Sequence, residues 1–121
     1  MSEFKTKLQV ESYGKDWKLL TPLIFVDDEY GEITVPLGFI TNFASVPRIP
    51  VVYALFGNTS HSAATIHNYL YTGLYPISRK AADLVFLEAM KVRGQSEWRR
   101  KIMYRAVRWF GAGSFKEWRS I

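Results

Sequence analysis

A carboxylate stands in line with an apolar stripe. Asp83 precedes Phe86, Leu87 and Met90 by three, four and seven residues, so a helix over Arg79–Met90 turns a charged group towards its packed side. The segment before it has the same character. In His67-Asn68-Tyr69-Leu70-Tyr71, His67 and Tyr71 are four apart and share one helical face. A short connection favours antiparallel packing of the two helices, which brings Asp83 within reach of His67. A His–Asp pair orients an imidazole for base chemistry. The alternative is a buried hydrogen-bonded network that holds the helices in place.

Around this pair the chain divides by hydrophobic period. Residues 7–45 read as β-rich. Leu8, Val10 and Ser12 alternate, Tyr13-Gly14-Lys15-Asp16 turns, and Trp17-Lys18-Leu19 returns. Leu23–Val26 and Ile33–Val35 form further strands on either side of the polar loop Asp27–Gly31, read as a solvated turn. Residues 47–111 read as helical: a short helix from Ile49 to Phe56, then His61–Tyr71, Arg79–Val92 with Ser78 as its cap, and Glu97–Phe110 with Ser96 as its cap. On the last helix Trp98, Ile102, Ala106, Trp109 and Phe110 are expected to form the core stripe. Arg100, Lys101, Arg105 and Arg108 are expected on the outer face, with Glu97 and Tyr104. The expected fold is a single α+β domain over residues 1–121: an N-terminal antiparallel sheet of about four or five strands, then about three α-helices.

With 121 residues the chain can bury one real core. It has no cysteine, which excludes disulfides and thiolate metal sites. The longest apolar run, Ile49–Phe56, is far below the ~20 residues of a membrane span, and the charged start MSEFKTKLQVES shows no signal peptide. Charge is unevenly placed. Residues 1–90 hold seven Lys/Arg and nine Asp/Glu, for −2; residues 91–121 hold nine and two, for +7. A basic C-terminal segment suits either a solvated helix face or a polyanion or membrane surface.

Thr41-Asn42-Phe43-Ala44-Ser45-Val46-Pro47-Arg48 mixes small polar and apolar residues before a proline-limited turn. Ser45 can cap the following helical turn, and Asn42 and Arg48 are candidates to face the same pocket as His67, with Asn68 and Tyr71.

Three segments, VPLGFITNFASVPR, HNYLY and RKAADLVFLEAM, with the later VRWFG, resemble a small family of uncharacterised domains spread through tailed bacteriophages and prophages. That family reads V-P-x-G-F-x-T-D-F-A-S-V-P-R, H-D-Y-L-Y, R-x-x-A-D-x-x-F-x-x-A-M and V-R-x-F-G. The resemblance implies a phage or prophage origin, with the chain in the virion or the host cytoplasm. A weaker similarity, HxxxY on one helix and an Asp on its antiparallel partner, is to secretory phospholipases. There it implies His67 as general base, Asp83 as its orienter and a calcium ligand at position 68. This chain has Asn42 and Asn68 where the phage family has Asp, so a divalent cation site there would lose two formal charges. No metal or other cofactor is therefore expected, with calcium or another divalent cation as the alternative.

The leading expectation is a non-catalytic phage accessory protein, a virion-associated tail component that binds other phage structural proteins. One alternative is a small hydrolase of lipid or cell-wall bonds using His67 and Asp83. Another is a polyanion- or membrane-surface-binding protein using Arg100, Lys101, Arg105 and Arg108.

Overall fold

The computed structural model describes residues 1–41 and 61–117. The short helix expected at Ile49–Phe56 lies outside the described residues. The architecture is α+β, with strands first and helices after. The strands are β1 (Glu3–Phe4), β2 (Val10–Tyr13), β3 (Asp16–Leu19), β4 (Leu23–Asp27), β5 (Gly31–Val35) and β6 (Ile40–Thr41). The helices are α1 (His61–Leu70), α2 (Arg79–Val92) and α3 (Glu97–Phe110), followed by a 3-10 turn at Gly111–Gly113.

The six strands form two antiparallel sheets, ordered β1-β4-β5 and β2-β3-β6, where the sequence reading had one sheet. The reason is a non-local pairing. β3 takes β6 as its second neighbour, with Trp17 opposite Thr41, and leaves β4 to pair with β1 and β5. β4 alternates strictly, Leu23, Phe25 and Asp27 inward and Ile24 and Val26 less buried, as a half-buried strand must. Opposite it, Leu23 faces Val35 and Phe25 faces Ile33, and all four are fully buried. Each such side chain contributes roughly 1.5–3 kcal/mol by leaving water.

The polar loop between β4 and β5 is built by Asp27. Its Oδ2 accepts the backbone N–H groups of Glu29 and Tyr30 at 2.9 and 3.0 Å, an Asx turn. Asp28 pairs instead with the N-terminal amine of Met1 at 2.5 Å.

The β1-β4-β5 sheet packs against α1 and α2, and α3 packs on α2. The core is continuous across these layers: Ile66 and Leu70 from α1, Val85, Phe86, Ala89 and Met90 from α2, and Met103, Ala106 and Val107 from α3. Ser78 caps α2 by accepting the Ala81 N–H at 3.1 Å. At its other end Gln95 N donates to Met90 O and Gly94 N to Lys91 O, a Schellman ending that Gly94 permits with φ +82°.

The expected core stripe of α3 is corrected. Trp98, Ile102, Trp109 and Phe110 are 58, 39, 81 and 45% exposed, and of the expected set only Ala106 is buried. α3 instead packs through Met103, Ala106 and Val107. Ala106 and Val107 are small beside the two tryptophans, which are left outside.

Candidate functional site: a buried carboxylate shared by three helices

α1 and the residue after it present His67 and Tyr71 one turn apart, with Tyr71 N still donating to His67 O at 3.1 Å. α2 presents Asp83, which is 0% exposed, and His67 is 1% exposed. His67 Nε2 lies 2.7 Å from Asp83 Oδ1, and Tyr71 Oη donates to the same oxygen at 2.5 Å. From α3, Arg108 Nη1 donates to Asp83 Oδ2 at 2.8 Å. One carboxylate therefore joins α1, α2 and α3.

Burial alone would raise the Asp83 carboxyl pKa, but the hydrogen bonds of His67 and Tyr71 and the Arg108 guanidinium outweigh it and hold it below the usual range. Burial pushes the His67 pKa down, against the opposing pull of Asp83. Burial, then the hydrogen bond to Asp83, pushes the Tyr71 phenol up, so it stays a donor. Near neutral pH the cluster holds an ionised Asp83, a neutral His67 and the Arg108 cation. The ionised carboxylate assigns the proton to His67 Nε2. His67 Nδ1 then carries a lone pair, and that atom is buried with no hydrogen-bond partner among the described residues.

The imidazole is held between rings, with its centroid 4.2 Å from that of Tyr71 and 4.6 Å from that of Phe86. Tyr71 is braced in turn by Phe115, edge to face at 5.2 Å, and by Lys116 N, which donates to its carbonyl at 2.9 Å. Gly111 lets α3 end against the phenol, since a Cβ there would lie 2.8 Å from Tyr71 Oη. Arg79 Nη2 donates to Val107 O and Arg108 O at 2.9 and 2.5 Å, meeting the carbonyls at the end of α3.

The structure brings together His67, Asp83 and Tyr71, as their spacing suggests. Asn68 is set apart from them: its amide Nδ2 donates to Thr41 Oγ1 at 2.9 Å, tying α1 to β6. Asn42, Ser45 and Arg48 lie outside the described residues. The four basic residues separate. Arg108 is turned inward to Asp83, Arg100 is half-buried, Lys101 pairs with Glu97 at 3.0 Å, and Arg105 is exposed. Arg108 is the member that spacing alone missed. A buried carboxylate needs a cation more than it needs a histidine, and that requirement was the available signal.

Asn68 is neutral with its amide turned to Thr41, and among the described residues no three His, Asp or Glu side chains converge. The imidazole does have the form of a general base: Nε2–H is fixed on a carboxylate and Nδ1 offers its lone pair.

The family model described as protein of unknown function DUF1353 matches residues 17–107. The chain belongs to this family. The match spans β3 to most of α3, so it contains His67, Tyr71 and Asp83 and stops one residue before Arg108. No curated protein and no solved structure shows significant similarity to the chain. Among the described residues no helix is long and apolar enough to cross a membrane.

Proposed function

We propose that the chain is a non-catalytic accessory protein of a tailed phage or prophage, a virion-associated tail component that acts by binding other phage proteins. The observation that carries this reading is the closure of the polar cluster. Asp83 and His67 are 0 and 1% exposed, and the carboxylate is engaged by donors from two neighbouring helices. A buried carboxylate held from two neighbouring helices in this way fixes a scaffold. The likeness of VPLGFITNFASVPR, HNYLY and RKAADLVFLEAM to phage domains supports the context. Mass spectrometry of purified particles tests it. The chain is expected as a stoichiometric component, and its absence would overturn the reading.

One observation favours a second reading, a hydrolase of lipid or cell-wall bonds. His67 Nδ1 is a buried acceptor without a partner among the described residues, and such atoms are uncommon in purely structural networks. In that reading Nδ1 takes the proton of a water, and Asp83 stabilises the resulting imidazolium. Release of fatty acid from phospholipid or of fragments from peptidoglycan, abolished in His67→Ala with unchanged circular dichroism, would establish it. No turnover by the native chain would remove it.

A further inference from the structure

α3 carries two apolar arcs. One packs on α2 through Met103, Ala106 and Val107. The other holds Trp98, Ile102 and Trp109, which fall within about 40° of one another around the helix axis and are 58, 39 and 81% exposed. The two tryptophans are eleven residues apart, on the order of 16 Å along the helix. Beside this arc stand the exposed Lys101 and Arg105, and the Arg99 guanidinium lies 5.4 Å from the centre of the Trp98 ring. The helix has five basic residues and one acid, Glu97.

We propose that this face of α3 docks on an anionic phospholipid surface, with Trp98 and Trp109 at headgroup level and Lys101 and Arg105 against the lipid phosphates. Indole rings favour that boundary because they are apolar bodies with one N–H donor. Basic residues next to them gain attraction from acidic lipid, about fivefold in affinity for each. Charge argues against a second copy as the occupant. A two-fold antiparallel pair that joined Trp98 to Trp109 would set the two Arg105 side chains within one helical turn of each other. The cluster at Asp83 takes no part, since of the basic residues on α3 it is Arg108, and not Lys101 or Arg105, that bonds the carboxylate.

The test uses the full chain with unilamellar vesicles of phosphatidylcholine alone, or mixed with phosphatidylglycerol in equal parts, and reads co-sedimentation. Binding is expected to the mixed vesicles only, weakened by high salt. The double variant Ile102→Ser, Trp109→Ser should weaken it roughly tenfold or more. Arg105→Glu changes the charge by two units and should weaken it roughly 25-fold, and it decides alone if the double variant loses its circular dichroism. No binding to the mixed vesicles overturns the proposal and assigns the face to a protein partner. Equal binding to both vesicle types, or full-strength binding by a folded variant, overturns it as well. A chain absent from particles yet bound to vesicles would remove the accessory reading and leave this one.

Discussion

Tyr71 Oη donates to Asp83 Oδ1 at 2.5 Å, the oxygen that also faces His67 Nε2. The phenol is thus the donor on Oδ1 that does not depend on a titrating imidazole. Hydrogen bonds to charged groups contribute about 1.5–3 kcal/mol. Tyr71→Phe keeps the ring contacts with His67 and Phe115 and removes the hydrogen bond to Asp83. It should lower unfolding stability by about 2 kcal/mol, read as a shifted urea midpoint at unchanged slope.

Arg108 supplies the cation for the same carboxylate on its second oxygen. Removing one partner of a buried pair costs about 3–5 kcal/mol. Arg108 is one-third exposed, so solvent screens part of this, and Arg108→Ala should cost about 2 kcal/mol. Asp83→Asn added to it should cost less than the two single changes together by about 1 kcal/mol, because the charge left behind is then gone. Strict additivity in that double-mutant cycle would show that the pair is not coupled.

Gly111 is needed for space and not for its backbone angle. Its φ is −80°, which any residue adopts, but an added Cβ would lie 2.8 Å from Tyr71 Oη and 3.2 Å from the ring edge. Gly111→Ala should destabilise by about 1–3 kcal/mol. Tyr71→Phe removes the closest atom, so the same substitution should cost visibly less in that background. Thermal unfolding of the four proteins reads the difference.

Acid should loosen the fold in two stages. The folded-state pKa of His67 lies below its unfolded value of about 6.5. Between the two values the unfolded chain binds more protons, so stability falls as pH drops below about 6.5, by at most about 1.4 kcal/mol per unit. Asp83 is also depressed, and its contribution is lost at lower pH, from about 3.9 down through its folded value. Urea titrations from pH 8 to pH 5 should show the first slope in the native chain and not in His67→Gln.

These relationships were partly legible in the sequence. His67, Tyr71 and Asp83 could be read because each breaks an apolar helical face at a spacing that the packing must reconcile. α2 and α3 could be bounded because Ser78 and Gly94, and Ser96 and Gly111, stand at their ends. Arg108 could not be placed by period alone, because α3 has arginines around much of its circumference. The exposed tryptophans were misread for a related reason. Apolar period marks an arc but does not say which of two arcs is covered, and the arc with smaller side chains packed on α2. The division into two sheets had no local signal, since β3 and β6 meet across more than twenty residues.

The position of Asp83 also sets how the molecule can open. If α3 detached alone, the carboxylate would lose its guanidinium while still enclosed; if α1 detached alone, it would lose both donors on Oδ1. Either partial opening leaves a charge stranded in apolar surroundings, which is more costly than the contacts it breaks suggest. Fraying helix by helix is therefore suppressed, and amide hydrogens in α1, α2 and α3 should exchange as one cooperative block. A single buried anion in this way converts three helices into one foldon.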